Sequence, residues 1–288
     1  MPDERPRNVI NDGEPSRTAL RVATLRGAHQ LLDEPILLDD PIALPILGPE
    51  LEAEVRADPY QYNEPFLRAL RASVVLRSRF AEDELARDVA EGVQQYVVLG
   101  AGLDTFAYRN PHPGLRVFEV DHPSTQNWKR HALETAGIAV PASLGFVASD
   151  FERGSLFKEL AAAGFDAKQP ACFSWLGVTM YLTEAAIMDT LALIAGLPRG
   201  SAITFDFRMR HHLLHPFEQA IATIVEQRVA ALGEPWVSAF DPEALCRDMR
   251  TLGFSSAEAH LPDALNQRYL YRRKDGLRAN LRLVHGRV

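Results

Sequence analysis

The feature that most constrains this chain is a regular alternation of short apolar segments and helix-like segments, which begins near residue 94. Seven of the apolar segments have the length and the β-branched or aromatic composition of strands. They are 94–99, 115–120, 144–148, 171–176, 201–207, 255–260 and 268–272. Because helix-like segments separate the earlier ones, the pattern predicts βαβ units and therefore an α/β fold with a mostly parallel sheet covered on both faces.

The first 90 residues contain no segment with strand character. Apolar side chains recur at three- and four-residue spacings over 16–32 and 66–90, which predicts two helices. After the first of them, Pro35, Pro41, Pro45 and Pro49 predict loop or short helix. We therefore predict a helical N-terminal region, 1–90, ahead of an α/β core, 91–288, with an insertion near 208–245 over the site.

Composition excludes several classes of protein. The formal net charge of −7 and the pI of about 5.7 argue against a nucleic-acid-binding protein, which usually carries a basic face. No window approaches ~18 uninterrupted apolar residues, so no membrane-spanning helix is expected. The charged start does not resemble a secretory signal, and two cysteines cannot form a disulfide framework. We expect a cytoplasmic protein that acts on a small molecule.

The first predicted strand ends in a glycine turn, Gly100-Ala101-Gly102, followed by Asp104. Glycines at a strand-to-helix turn let the backbone approach a ligand closely and present free N–H groups. A full dinucleotide fingerprint needs a third glycine at the position of Thr105, so the fingerprint is incomplete. The turn alone is equally compatible with ligand binding and with an ordinary tight connection.

An acid stands at the end of each of the next two strands. Asp121 follows Gly102 by nineteen positions, and an acid about 20 residues past the turn can bind both ribose hydroxyls of a nucleoside. Asp150 and Phe151 follow the third strand and could bind and stack on an adenine. The alternatives are a turn-initiating Asp121 and a helix-capping Asp150. No GxxxxGK[ST] phosphate loop occurs, so a neutral or cationic nucleoside fits better than a polyphosphate.

Three segments of the chain carry longer motifs: VVLGAGLDTFAYR at 97–109, FEVDHP at 118–123 and WLGVTMYLT at 175–183. All three resemble motifs of the leucine carboxyl methyltransferase-like family of S-adenosylmethionine-dependent methyltransferases. Looser similarities occur at 17–20, 40–43, 233–236 and 240–242, so that the resemblance covers roughly 16–277. It implies a class I methyltransferase core, with a Rossmann-like sheet of seven mostly parallel strands and an N-terminal helical cap.

The resemblance also implies a cofactor, S-adenosyl-L-methionine, and roles for particular residues. The cofactor contacts implied are Arg79, Gly100, Ala101, Gly102, Asp104, Asp121, Asp150, Phe151 and Leu176. Within this set the glycine turn would contact the methionine part, Asp121 the ribose, Asp150 with Phe151 the adenine, and Arg79 the cofactor carboxylate or the substrate. Tyr181 and Arg77 are assigned to catalysis. The eukaryotic branch has a glutamate where Leu176 stands, which favours the bacterial branch and O-methylation of a small molecule or natural product over methylation of a phosphatase C-terminus.

Methyl transfer to a carboxylate needs no base, whereas transfer to a hydroxyl needs one within hydrogen-bond reach. The candidate bases are Tyr181, His122 and the group His211, His212 and His215. His211 and His215 have a spacing that could bind a metal, but no further ligand motif supports one, and no metal is predicted. The competing hypotheses are a nicotinamide-dependent oxidoreductase and a cofactor-binding protein without catalysis.

Overall fold

The computed structural model describes residues 17–149, 156–231 and 233–288. Its centre is a seven-stranded sheet with the order β3-β2-β1-β4-β5-β7-β6. All neighbouring strands are parallel except that β7 runs antiparallel to both β5 and β6. The strands are β1 Gln95–Leu99, β2 Arg116–Asp121, β3 Leu144–Ala148, β4 Cys172–Trp175, β5 Ala202–Asp206, β6 Ser256–His260 and β7 Leu283–Arg287.

Helices precede the sheet and connect its strands. They are α1 Arg17–Leu32, α2 Pro49–Ala57, α3 Pro65–Ala90, α4 Phe106–Arg109, α5 Pro123–Thr135, α6 Leu156–Ala162, α7 Glu184–Ala195, α8 Pro216–Ala231, α9 Pro242–Leu252 and α10 Pro262–Tyr269. Short 3₁₀ helices lie at Pro45–Leu47, Pro59–Tyr62, Thr179–Tyr181 and His211–Leu213. No helix in the described ranges is long and apolar enough to cross a membrane.

The predicted α/β sheet is confirmed, but the predicted strand 268–272 is wrong. That stretch contains the end of α10 and the turn after it, and the seventh strand is β7. Pro262 at the first turn and buried Leu265 are features of a helix, and Asn266 anchors the helix by donating to the carbonyl of Ala279 at 2.8 Å. The aromatic and basic residues at the end of α10 and just after it have a composition typical of a strand, but they do not pair with the sheet.

Buried side chains on both faces of the sheet explain the continuous apolar character of the strands. Alternate residues point to opposite faces, so Val97 and Leu99 join one cluster with α7 and α9, while Tyr96 and Val98 join another with Leu85 of α3. α3 also contacts β4 and β5. A sheet buried on both faces favours apolar residues at most strand positions.

A buried ion-pair network fixes α1 against α3. Arg71 donates to both carboxylate oxygens of Asp33, each at 2.8 Å, and Nδ1 of His29 lies 2.7 Å from the same carboxylate. The other ring nitrogen of His29 accepts from the backbone N–H groups of Leu37 and Leu38. The network therefore connects the end of α1 to α3.

Candidate functional site

A cavity of about 230 Å³ lies at the carboxyl ends of β1, β2 and β4, between α1 and α3. The strand order reverses between β1 and β4, and ligands of open α/β sheets bind at this point. The lining residues come from α1, α3, the ends of β1, β2, β3 and β4, the start of α5 and the loop after α8. They include Thr18, Arg26, Arg77, Gly100, Ala101, Gly102, Asp104, Asp121, His122, Ser149, Leu176, Gly177, Val178, Tyr181 and Glu234.

The glycine turn after β1 forms the floor of this cavity. Gly100 and Gly102 have φ angles of +67° and +49°, in the left-handed region that favours glycine. A Cβ atom on Gly100 would lie 2.3 Å from Cγ2 of Val178, so a side chain cannot be accommodated without movement. Ala101 and Asp104 line the cavity, and the Asp104 carboxylate accepts from the backbone N–H of Phe106 at 2.8 Å. The turn therefore brings backbone close to the cavity at Gly100 and Gly102.

Asp121 joins the end of β2 to the glycine turn. Its Oδ2 accepts from the backbone N–H of Gly102 at 2.6 Å and its Oδ1 from the N–H of His122 at 2.7 Å. Burial raises the pKa of Asp121 above its ordinary value, and the two N–H groups oppose that rise. The carboxylate lines the cavity with a fixed orientation, and each of its oxygens keeps a further lone pair for a ligand donor.

Arg77 is the arginine of α3 that reaches the cavity. It donates to Oδ2 of Asp206 at 2.8 Å, and Oδ1 of Asp206 accepts from the backbone N–H of Gly177 at 2.6 Å. Gly177 has a φ of +78°, and a Cβ there would lie 2.6 Å from a guanidinium nitrogen of Arg77. Asp206 at the end of β5 therefore fixes both the guanidinium and the turn after β4.

The structure does not bring Arg79 to the cavity. Its Nε donates to Asp83 at 2.9 Å on an exposed part of α3. Positions 77 and 79 are about 200° apart around a helix, so only one of them can face the strand ends. We predicted that Arg79 would reach the site from α3, but the arginine that lines the cavity is Arg77. Leu176 does line the cavity.

Tyr181 lies at the mouth of the cavity, where three elements meet. Its side chain lies near Thr18 of α1 and near Trp236 of the loop after α8. Thr18 also donates to the carboxylate of Glu234 in that loop. Burial raises the pKa of Tyr181, so the hydroxyl keeps its proton at neutral pH. Sequence reasoning noted Glu234 only within a looser motif and assigned it no role.

A second network behind the glycine turn was also missed. Asp40 is fully buried and accepts from the Thr105 hydroxyl at 2.5 Å, and Arg26 forms an ion pair with it at 3.0 Å. Arg109 donates to both oxygens of Glu82 and so ties α4 to α3. The Thr105 that breaks the dinucleotide fingerprint is therefore a structural contact to the N-terminal region.

Beneath Asp121, the buried Glu119 and Lys129 form an ion pair at 2.6 Å. Burial raises the pKa of Glu119 to about 7, although Lys129 opposes that rise. Glu119 is two residues before Asp121 on the same side of β2, as the alternation of a strand requires. The pair supports the end of β2 from behind and is not among the cavity-lining residues.

The other sequence candidates are separated from the mouth. Nδ1 of His122 lies 2.7 Å from the Ser124 hydroxyl at the start of α5, next to Asp121. His211, His212 and His215 are exposed, and within the described ranges no cluster of His, Cys, Asp or Glu could hold a metal ion. Asp150 and Phe151 lie outside the described residues, although Ser149 before them lines the cavity.

Comparison with known proteins identifies the family. The model of the leucine carboxyl methyltransferase family matches residues 19–195. YktD of Bacillus subtilis (strain 168), assigned as an S-adenosyl-L-methionine-dependent methyltransferase, is 30% identical over 293 residues, which is 94% of this chain and 96% of that protein.

Solved structures share the fold. A methyltransferase structure from Thermobifida fusca superimposes with a TM-score of 0.56 at 18% identity and covers 99% of this chain and 98% of that one. A DUF574 family protein from Streptomyces avermitilis gives a TM-score of 0.53 at 16% identity, with 92% and 96% coverage. At these identities the likeness concerns the fold alone.

Proposed function

This chain belongs to the leucine carboxyl methyltransferase family and is an S-adenosylmethionine-dependent methyltransferase, and we propose that it methylates an oxygen atom, carboxylate or hydroxyl, of a small molecule. The polar mouth formed by Thr18, Tyr181 and Glu234 supports an oxygen acceptor, because each of these groups can hydrogen-bond to one. The net charge of −7 supports a small molecule over a nucleic acid.

The cavity fits the cofactor in its chemistry. The glycine turn from Gly100 to Gly102 lines the cavity, and a carboxylate at the end of β2 suits a ribose. When bound, S-adenosylmethionine supplies an electrophilic methyl group on a positively charged sulfur, so the protein mainly binds, orients and excludes water. Acidic Asp104, Asp121 and Glu234 on the cavity wall suit that positive charge.

We assign the chain's residues to parts of the cofactor as follows. Asp121 accepts hydrogen bonds from the ribose hydroxyls, while the turn from Gly100 to Gly102 contacts the methionine part. Arg77 binds the methionine carboxylate through guanidinium N–H groups that Asp206 leaves available, since five donors cannot all be used by one carboxylate. Asp150 and Phe151 remain the proposed adenine contacts. Tyr181 orients the acceptor from the mouth by donating its hydroxyl proton.

The cofactor assignment depends most on the hydrogen bond from the N–H of Gly102 to Asp121. This bond connects the turn after β1 to the end of β2, and a bound nucleoside would contact both. Calorimetric titration with S-adenosylmethionine and then with NAD tests the cofactor assignment. Binding of the first with no response to NAD is expected, and the reverse would contradict the assignment. Formation of S-adenosylhomocysteine with a panel of phenols, alcohols and carboxylates tests oxygen methylation.

A further inference from the structure

A buried lysine lies behind the carboxylate that we assign to the ribose. Lys129 of α5 is 1% exposed, and its Nζ lies 2.6 Å from Oε2 of Glu119, which is also 1% exposed. Glu119 stands two residues before Asp121 on β2, so the face of β2 that meets Lys129 is also the face from which Asp121 projects. A buried ion pair adds little net stability compared with apolar residues of similar volume, so stability alone does not account for this pair.

The ammonium of Lys129 acts on two carboxyls. Burial is the largest cause that raises the pKa of Glu119 to about 7, and Asp104 and Asp121 add to that rise. Burial also raises the pKa of Asp121. Lys129 opposes the rise at Glu119 and, together with the two backbone N–H donors, at Asp121. Of these two carboxyls only Asp121 lines the cavity, so the charge of Lys129 reaches the cavity through Asp121.

Other charged or titratable groups act on the same end of the cavity from neighbouring elements. They are Asp104 of the glycine turn, Tyr108 of α4, His122 at the cap of α5 and Arg130 within α5. The ring centroid of Tyr108 lies 5.4 Å from Nζ of Lys129, and burial raises the pKa of Tyr108 well above its ordinary value, so the phenol stays neutral. His122 opposes the rise in the pKa of Asp121 less than Lys129 does. Arg130 is exposed and stacks on Phe146 at 4.7 Å. Of these described groups, Lys129 is therefore the cation that is buried behind the end of β2.

We propose that Lys129 is a positioning residue for the cofactor: held by Glu119 behind the end of β2, its ammonium supplies the positive charge that offsets the Asp121 carboxylate. The inference rests on the proposed function, because it requires a ribose at Asp121. A carboxylate can accept from both ribose hydroxyls, whereas a carboxylic acid must use one of its oxygens as a donor. The backbone N–H groups of Gly102 and His122 give Asp121 its orientation, and Lys129 supports its charge.

The test measures the Kd of S-adenosylhomocysteine by calorimetry from about pH 8 down to about pH 5, a range above the ordinary pKa of an aspartate. Affinity should fall as the pH approaches the pKa of Asp121 in the free protein, because binding requires the ionised form. Two variants differ only in the ammonium: Glu119→Gln keeps it, and Glu119→Gln/Lys129→Met removes it. Glu119 already carries a proton below about pH 7, so glutamine in its place changes little charge in the acidic part of the range.

Removal of the ammonium should raise the pKa of Asp121 further. Glu119→Gln/Lys129→Met should therefore lose affinity at a higher pH than Glu119→Gln, by on the order of one pH unit, the lower end of the effect of a nearby opposite charge. At about pH 8 the two variants should have similar Kd values, because Asp121 is ionised in both. The double variant buries no unpaired charge and should unfold near the wild-type denaturant midpoint. Lys168→Met, at an exposed position after α6, is the control and should follow wild type at every pH.

If the two variants lose affinity at the same pH, Lys129 does not act through Asp121, and the inference is wrong while the proposed function stands. A Kd raised by the same factor at every pH in the double variant would show a structural role alone and overturn the inference in the same way. Asp121→Asn has no carboxyl to titrate, so its weak binding should vary little with pH. A wild-type pH dependence in that variant would overturn both the inference and the ribose assignment. If wild type binds no S-adenosylhomocysteine at all, the proposed function itself is wrong.

Discussion

The backbone N–H of Gly102 donates to Oδ2 of Asp121 at 2.6 Å, and this bond connects the turn after β1 to the end of β2. It gives the carboxylate one orientation before any ligand arrives. A ribose that binds to Asp121 therefore meets a preorganised acceptor, whose geometry depends on the two backbone N–H groups and not on another flexible side chain.

Asp121→Asn should weaken S-adenosylmethionine binding roughly 10- to 100-fold, since a hydrogen bond to a charged group contributes about 1.5–3 kcal/mol. The amide must also turn its NH₂ group toward one of the two N–H donors, which disturbs the turn. Calorimetric titration measures the change in Kd. Asp189→Asn, on the exposed face of α7, is the matched control and should bind like wild type. An unchanged Kd in Asp121→Asn would contradict the ribose assignment.

Gly100→Ala should abolish measurable cofactor binding and destabilise the fold, because the new Cβ would lie 2.3 Å from Cγ2 of Val178 at a φ of +67°. Gly114→Ala separates the two causes. Its φ is +86° and no atom lies within 4 Å of the position that the new methyl group would take, so it should cost only about 1 kcal/mol of backbone strain. Denaturant unfolding and calorimetry measure both effects. If Gly100→Ala and Gly114→Ala lose the same free energy of unfolding and bind the cofactor equally well, the contact with Val178 does not limit the residue at position 100.

The sequence was sufficient for six of the seven strands and for several residues that line the cavity. A turn with Gly100 and Gly102 and an acid at position 121 are local patterns, and the rules for parallel sheets bring strand ends together. β7 was missed because the apolar residues that precede the C-terminus pair with β5 only through a long-range antiparallel contact. Local composition favoured 268–272, and tertiary packing made its first part a helix.

The site residues that the sequence did not predict were missed for the same physical reason: long-range contacts bring them to the cavity. Arg26 reaches the cavity from α1 through its ion pair with Asp40, and Glu234 arrives on a loop more than 200 residues away from Thr18. Neither contact has a periodic or spacing signal. Helical geometry could have separated Arg77 from Arg79, because two positions on one helix face opposite sides, but the sequence alone does not say which side meets the sheet.

Asp33→Asn should destabilise the protein by about 3–5 kcal/mol, because it leaves the buried Arg71 without its carboxylate. Burial alone would raise the pKa of Asp33, but the bonds from His29 and Arg71 outweigh it and lower that pKa to about 2. The stabilisation is therefore present above the ordinary pKa of an aspartate and is lost as the pH falls toward about 2. Urea unfolding at neutral pH measures the loss.

The control for Asp33→Asn is Glu52→Gln, which breaks an exposed pair with Arg56 on α2. Exposed pairs contribute about 0–1 kcal/mol, so this variant should unfold close to the wild-type midpoint. If the two variants lose the same free energy of unfolding, the Asp33 network does not hold α1 against α3.

His285 should make the protein sensitive to mild acid. Burial lowers the pKa of His285 to about 4, and its Nδ1 lies 3.0 Å from the Thr204 hydroxyl. Between about pH 6.5 and about pH 4 the unfolded chain binds a proton at this histidine and the folded chain does not, so stability falls with falling pH. Denaturation midpoints of His285→Asn should vary less over this window. Exposed His212→Asn should follow wild type, and parallel curves for all three proteins would contradict the argument.

The most direct measurement is a crystal structure of the protein with S-adenosylhomocysteine. The account predicts the ribose hydroxyls within hydrogen-bond distance of the Asp121 carboxylate, the amino-acid carboxylate at Arg77, and the sulfur facing the mouth between Tyr181 and Glu234. A ribose bound away from Asp121, or a sulfur that faces away from Tyr181 and Glu234, would contradict it.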